Sequence, residues 1–216
     1  DDLIKELPRV IYHLESFDAL LVRSTITNYL VAKLASDHVS ELFSGEVGDE
    51  LFAGYEYLKS MQQKDLEDEL ISLTGSLHNT ALQRVDRCAA AHGTSAHIIF
   101  ADPVVVGYAF MIPDEFKIRD NVEKWILRKA MQGDLPEKIL KRPKAKFWEG
   151  AGISELISDY AEEKITDHDF RSGRILHGGF RINTKEELYY YRIFREHFGT
   201  DFDLSWMGRT RGSPVS

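Results

Sequence analysis

Apolar residues recur along most of the chain at the three- and four-residue spacing that is typical of amphipathic helices. The spacing predicts helices over 3–15, 18–35, 64–73, 77–91, 121–132, 136–141, 153–165 and 185–198. Two short runs, 39–43 and 97–101, are instead almost continuously apolar and end at turn residues, as buried strands do. This order predicts an α/β fold that is mostly helical and contains a small parallel sheet.

Individual residues sharpen the predicted boundaries. In the second helix we expect Leu21, Ile26, Tyr29, Leu30 and Leu34 to share one buried face. A capping box, Thr184 with Glu187 three residues later, predicts that the last helix begins at 185. Segments 141–152 and 166–183 carry glycine and basic residues and are predicted loops. We expect 1–207 to fold as one portion of a domain and 208–216 to be a flexible tail.

Charge and cysteine content narrow the classes of function. The net charge of −8 disfavours a protein that binds nucleic acid through a basic face. A single cysteine, Cys88, excludes an internal disulfide and fits a reducing, cytoplasmic location. Cys88 lies in a helical pattern and is expected in the core. No apolar run is long enough to predict a membrane span, and the histidines show no zinc-ligand spacing.

The stretch LFSGEVGDELFAGY at 42–55 carries the chemistry of most interest. A short strand, then Gly45, then a helix start is a backbone arrangement suited to phosphate. The loop also holds three carboxylates, Glu46, Asp49 and Glu50, which repel phosphate unless a divalent cation lies between them. Mg²⁺ on Asp49 and Glu50 is one interpretation. An acidic helix N-terminus stabilised by the helix dipole is the other.

The same string resembles the S-G-E-G-x-D-E-x-F-G-G-Y motif of the asparagine synthetase family. The segments LHNTALQRVDRCAAAHG, FADPVVVGYA, KWILRKAMQGDLPEKILKRPKAKFWEGAG and TKEELYYYRIFREHF are also similar to that family, in order, up to about Phe198. The resemblance implies the C-terminal portion of an ATP-pyrophosphatase synthetase domain. Its expected fold is an incomplete adenine-nucleotide alpha-hydrolase-like domain, also called a PP-loop domain.

The resemblance implies roles for individual residues. Glu46 would be catalytic, as a base or orienting carboxylate near the attacking amine, and Lys144 would stabilise pyrophosphate. Asp49 would hold Mg²⁺. The nucleotide- and pyrophosphate-binding set would comprise Ser44, Gly45, Asp49, Lys144 and Lys146. Arg23 and Tyr55 would contact the substrate.

The sequence departs from the family pattern in three ways. It contains neither the S-G-G-x-D-S pyrophosphate loop nor a glutaminase domain. Ser95 replaces a glutamate that pairs with the tyrosine at Tyr55 in β-lactam synthetases. Val47 and Ala53 replace motif glycines, and a β-branched residue resists a positive φ. If the family glycine has a positive φ, the loop around Val47 is expected to shift.

These observations leave three functions open. The chain would be part of an ATP-dependent amidotransferase that converts aspartate to asparagine through an acyl-adenylate, releasing AMP and pyrophosphate. It would then need ATP, Mg²⁺, aspartate, ammonia and an upstream fragment or subunit with the missing loop and glutaminase, and the isolated chain would be inactive. The alternatives are an inactive paralogue that acts as an interaction module, with a homo-oligomer left open, and a relative that amidates another carboxylate.

Overall fold

Helices dominate the computed structural model, which describes residues 2–144, 153–200 and 203–211. In chain order the helices and strands are α1 (Asp2–Leu14), α2 (Ala19–Ser36), β1 (Glu41–Ser44), α3 (Gly48–Leu51), α4 (Gln63–Gly75), α5 (Ala81–Ala90), β2 (Ser95–Ile98), α6 (Pro103–Met111), α7 (Trp125–Ala130), α8 (Glu137–Leu140), α9 (Ile153–Lys164), α10 (Asp167–Gly173) and α11 (Lys185–Phe198). The predicted helical content is confirmed.

Strands β1 and β2 pair in parallel, which confirms the predicted small sheet. The backbone N–H of Ser95 donates to the carbonyl of Ser40 at 2.9 Å, just before β1. The predicted second strand, 97–101, is displaced because 99–101 form a 3₁₀ turn. Asp102 then caps α6 by accepting a hydrogen bond from the N–H of Val104.

The chain divides into two units. The first comprises Asp1–Leu42, Asn79–Ala96 and Lys146–Ser216, and the second Phe43–His78 and His97–Ala145. In the first unit, α1 contacts α2, α5 and α11 through side chains that are fully buried, namely Leu7, Val10, Ile11 and Leu14. In the second unit, a smaller core joins Ala53 and Leu58 to three leucines of α4, which are Leu66, Leu70 and Leu73.

The buried surface of α2 differs from the predicted single face. Leu21, Ile26 and Tyr29 are buried, but Leu34 is 65% exposed because burial ends near Ala32. The first half is buried nearly all round, since α2 packs against α1, α5 and α11. Small hydroxyl residues allow this: Thr25 Oγ1 donates to the carbonyl of Leu21 at 2.6 Å, so its polar group is satisfied inside the helix.

Two other predictions were wrong at helix boundaries. The helix predicted over 121–132 begins only at Trp125, because Asp120, Asn121 and Lys124 have positive φ angles that a helix does not allow. The predicted loop 166–183 contains α10, whose N–H of Asp169 donates to the hydroxyl of Thr166. A seven-residue helix carries too little periodicity to be detected in sequence.

The predicted cap of α11 is confirmed in its first half. Thr184 Oγ1 accepts from the N–H of Glu187 at 3.1 Å, whereas the Glu187 carboxylate accepts from Asn183 one residue before the cap, at 2.7 Å. The same carboxylate pairs with Arg209, which also donates to the carbonyl of Arg181 at 2.8 Å. Arg209 lies in the segment predicted as a flexible tail, and that tail stays a prediction.

Two sequence expectations concern membrane and redox chemistry. Within the described ranges, no helix combines the length and apolarity that crossing a bilayer requires. Cys88 is buried in the core of the first unit, as predicted. Burial raises the pKa of its thiol to about 12, so the reactive thiolate is scarce at neutral pH.

Candidate functional site

The loop between β1 and α3 presents open backbone at Gly45. The N–H of Glu46 donates to Ser44 Oγ at 3.3 Å, which holds the turn closed. A Cβ atom added to Gly45 would meet no protein atom within 4 Å, and its φ is not positive. The packing of the protein therefore does not require glycine at this position.

Two non-glycine residues on either side of α3 have left-handed conformations. Val47 has φ 76° and is 1% exposed, and Ala53 has φ 54° and is fully buried. Such a conformation costs an L-residue about 1–2 kcal/mol. Val47 thus adopts a positive φ although a β-branched side chain disfavours it. Burial of that side chain offsets the strain.

Asp49 is the centre of the charged cluster in the second unit. Its Oδ1 lies 2.8 Å from Nζ of Lys124, and its Oδ2 lies 2.7 Å from Nζ of Lys144. Burial would raise the pKa of Asp49, but the two ammonium groups more than compensate and lower it below its ordinary value. The carboxylate is therefore ionised at neutral pH.

Gly54 is required by the closeness of this ion pair. A Cβ atom at Gly54 would lie 1.9 Å from Asp49 Oδ1 and 2.3 Å from Cε of Lys124. The N–H of Gly54 also donates to the carbonyl of Asp49 at 2.8 Å. The second glycine position of the G-G-Y pattern, retained here, is thus explained by a close approach of backbone to charged side chains.

Tyr55 and Glu50 form a second pair beside Asp49. The hydroxyl of Tyr55 donates to Glu50, which is 4% exposed. Burial raises the pKa of Glu50, and burial together with the Glu50 charge raises that of Tyr55. Nζ of Lys144 lies 5.8 Å from the Tyr55 ring centroid, within range of a cation–π interaction. The tyrosine thus has a carboxylate partner five residues before it.

Arg23 lies in the first unit, where its guanidinium is paired with a carboxylate. Arg23 Nε donates to Glu186 Oε1 at 2.8 Å, and Nη2 donates to the other oxygen. The hydroxyl of Tyr190, a fully buried residue, donates to Glu186 Oε1 at 2.7 Å. Burial lowers the pKa of Arg23, but Glu186 raises it further, so the group is charged. The predicted role of Arg23 in binding substrate stays a prediction.

The segment around α7 supplies residues that the sequence did not single out. Lys124, with φ 52°, precedes α7 and donates its N–H to the carbonyl of Phe52 at 3.2 Å. This bond fixes Lys124 beside the end of α3, the helix that carries Asp49. Its side chain, those of Lys144 and Arg128, and the apolar residues Leu127, Met131 and Ile139 line a cavity of about 350 Å³.

Comparison with known proteins identifies the family of the chain. The family model for asparagine synthase matches residues 1–72 and 59–211. The chain belongs to the asparagine synthase family. Among its relatives, the asparagine synthetase [glutamine-hydrolyzing] 2 of Lotus japonicus is 34% identical over 209 residues, covering 91% of this chain and 36% of the relative. The asparagine synthetase [glutamine-hydrolyzing] of Gallus gallus is 32% identical over 206 residues, covering 90% and 37%.

This asparagine synthase family chain therefore spans little more than a third of the length of those relatives. Within the second unit, the structure brings Asp49 and Lys144 together across 95 residues of sequence. Ser44 ends β1, and Gly45 and Glu46 follow it in the loop that leads to α3, which carries Asp49. Lys146 lies outside the described residues.

The residue that sequence reasoning missed is Lys124. The pattern placed it inside a helix, 121–132, on which a lysine is usually solvated, and nothing in its neighbours predicts its positive φ. The signal that points to it is indirect: Gly54 needs a reason to be glycine, and Lys124 supplies half of that reason.

A magnesium ion in this family chain would need oxygen ligands. Over the residues that the structure describes, no cluster of three or more His, Cys, Asp or Glu side chains could hold a metal. Mg²⁺ commonly binds one or two carboxylates together with substrate phosphates. Asp49, ionised and paired with two flexible lysine side chains, fits an ion that arrives with a polyphosphate.

Proposed function

We propose that this chain is the pyrophosphate-binding part of an asparagine synthetase-type ligase with a PP-loop fold. The observation that carries the proposal is the convergence of two lysines, 20 residues apart, on the carboxylate of Asp49 in the S-G-E motif. The two ammonium groups, on flexible side chains, can pair with a polyphosphate anion, which lysines bind as point charges. The open backbone at Gly45 suits close approach of a nucleotide.

In the proposed reaction, an oxygen of the aspartate side-chain carboxylate attacks the α-phosphorus of ATP and pyrophosphate leaves. Lys144 and Lys124 stabilise the charge that develops on pyrophosphate. Ammonia then attacks the acyl carbon, AMP leaves, and Glu46 accepts a proton from the attacking nitrogen. Mg²⁺ held with Asp49 would neutralise phosphate charge when it is bound. Ser44 and Gly45 offer the loop backbone and hydroxyl to the nucleotide.

The proposal includes partners and a location. A segment or subunit with the S-G-G-x-D-S loop supplies the rest of the ATP site, and a glutaminase supplies ammonia. Lys146 and Tyr55 remain proposed contacts of pyrophosphate and substrate, and a cytoplasmic location stays a prediction. The third function left open by the sequence, amidation of another carboxylate, differs from this proposal only in the substrate that accepts the amino group.

One observation favours the second candidate, an interaction module without activity. Helix α6 is apolar on all sides, and three of its side chains form an exposed stripe: Val104, Tyr108 and Met111 are 79%, 67% and 79% exposed. An exposed apolar stripe is typical of a surface that binds another protein.

Titration calorimetry tests the first proposal. Inorganic pyrophosphate with Mg²⁺, and in a second series ATP with Mg²⁺, is titrated into the chain and into Lys144→Ala. The expected result is binding that Lys144→Ala weakens at least ten-fold, which corresponds to about 1.4 kcal/mol. Lys129→Ala, an exposed lysine of α7, is the matched control and should bind like the unaltered chain. Equal binding by Lys144→Ala would overturn the proposal.

A further inference from the structure

Arg128 joins two segments that each carry a lysine of the charged cluster. On one side its Nε donates to the backbone carbonyl of Glu123 at 2.9 Å, and Nη2 donates to the Glu123 carboxylate. On the other side Nη1 donates to the carbonyls of Leu140 and Arg142, at 2.6 and 3.0 Å. Glu123 directly precedes Lys124, and Arg142 lies two residues before Lys144.

The segment that ends at Lys144 depends on this guanidinium for hydrogen bonds from another helix. Among the described residues, its other backbone hydrogen bonds are local: Lys141 donates to Glu137 at 2.9 Å and Arg142 to Ile139 at 3.2 Å. Residues 141–144 are exposed, so hydrophobic burial does little to hold them. The two hydrogen bonds from Arg128 to the carbonyls of Leu140 and Arg142 therefore restrict where the side chain of Lys144 can reach.

The carboxylate of Glu123 holds Arg128 in place. Glu123 is 4% exposed and pairs with Nζ of Lys59 at 3.1 Å as well as with Arg128. Burial would raise its pKa, but a backbone N–H, Lys59 and Arg128 lower it. The guanidinium is thus fixed on one side by an ionised, largely buried acid, and its remaining donors point at the 140–142 backbone.

Only arginine has the donors that this arrangement uses. Its planar group carries five N–H bonds in a fixed geometry and can serve four acceptors on two sides. A lysine at 128 has three donors on one nitrogen. It can keep the ion pair with Glu123 but cannot also reach both carbonyls in this geometry.

We propose that Arg128 is a positioning residue that orients Lys144 toward a pyrophosphate anion beside Asp49. This inference rests on the proposed function, in which Lys144 stabilises pyrophosphate. Arg128 acts through the 140–142 backbone and does not contact the anion. Its effect on binding should therefore require an ammonium group at position 144.

A double-mutant cycle with inorganic pyrophosphate and Mg²⁺ tests the inference by calorimetry. Arg128→Lys should weaken binding about ten-fold, comparable with loss of a charged hydrogen bond, and have no further effect in a Lys144→Gln chain. Arg119→Lys is the control, because Arg119 stacks on Trp125 at 4.9 Å in the same unit and does not touch the 140–142 segment. Equal losses from Arg128→Lys in both backgrounds, or no loss at all, would overturn the inference.

Limited trypsin digestion provides a second, ligand-free measurement. Arg128→Lys should speed cleavage after Lys144 several-fold. The midpoint of global unfolding should stay close to that of the unaltered chain. Unchanged cleavage at Lys144 refutes the positioning role even if pyrophosphate does not bind. If Lys144→Gln binds pyrophosphate normally, the proposed function fails instead, and the digestion result still decides the role of Arg128.

Discussion

Two carboxylate–cation clusters in this chain are built in opposite ways. In the first unit, Glu186 and Arg23 pair in the interior, with their side chains 2% and 7% exposed. In the second, Asp49 faces Lys124 and Lys144, with side chains 17%, 25% and 28% exposed. The first cluster is sealed from water, whereas the second places two lysines on one carboxylate and has partial access to water. The contrast separates a pair that stabilises the fold from one suited to receive an anion.

Breaking the sealed pair should give the largest effect. Glu186→Gln leaves the Arg23 guanidinium buried without a counter-ion, so we expect it to lower the free energy of unfolding by about 3–5 kcal/mol. Asp49→Asn should cost about 1 kcal/mol, since Lys124 and Lys144 can turn into water. Urea unfolding measures both, with the exposed Glu137→Gln as control. Equal losses at Glu186 and Asp49 would erase the distinction.

The next largest difference in stability is expected between substitutions of the two glycines Gly54 and Gly45. Gly54→Ala places a methyl group against Asp49 and Lys124, and we expect a loss of about 1–3 kcal/mol from overpacking. Gly45→Ala meets no atom and should leave the unfolding midpoint unchanged or slightly raised, while weakening ATP binding. Thermal unfolding and calorimetry together check this pair. A destabilising Gly45→Ala would mean that the fold itself, and not a ligand, requires this glycine.

Acid titration should separate Asp49 from Glu50. The lowered pKa of Asp49 contributes stability above its unfolded pKa of about 3.9, and this contribution is lost as the pH falls through the folded value. The raised pKa of Glu50 has the opposite effect on stability, because ionisation of Glu50 at neutral pH disfavours the folded state. Glu50→Gln, which can still accept from Tyr55, should therefore stabilise the chain at pH 7.

The unfolding midpoints of Glu50→Gln and the unaltered chain should converge near pH 4, about the unfolded pKa of glutamate. A stabilisation that persists unchanged at acid pH would show that the charge of Glu50 is not its cause. The control is Gln62→Glu, which adds one carboxylate at an exposed site before α4 and so changes the charge by one in the opposite direction.

The smallest effect concerns backbone strain near the open cluster. Ala53→Gly removes the steric cost of φ 54° and loses only a methyl group, so we expect a gain of up to about 1 kcal/mol. Val47→Gly relieves a similar angle but also removes a buried side chain, and the two effects should nearly cancel. Differential scanning calorimetry resolves them. A loss of stability in Ala53→Gly would contradict the strain argument.

Periodicity and capping were enough to predict most of the helices, because buried stripes such as Leu7, Val10, Ile11 and Leu14 have a local pattern. The S-G-E motif was likewise visible as a string. Lys124 was not, because its role arises from a positive φ and from contact with a loop 75 residues away. Leu34 was misplaced because the burial of α2 depends on which helices pack along it, and spacing alone does not show where that packing ends.

The order of segments in the first unit has a consequence for synthesis of the protein. Helix α1 contacts α11, so the first helix of the chain packs against the last. During synthesis, the part of α1 that contacts α11 stays uncovered until α11 has been made, and 170 residues separate the two helices. Closing so long a loop is slow, and the exposed helix is a target for chaperones in the meantime. Assembly of this unit should therefore be completed only after α11 has been synthesised.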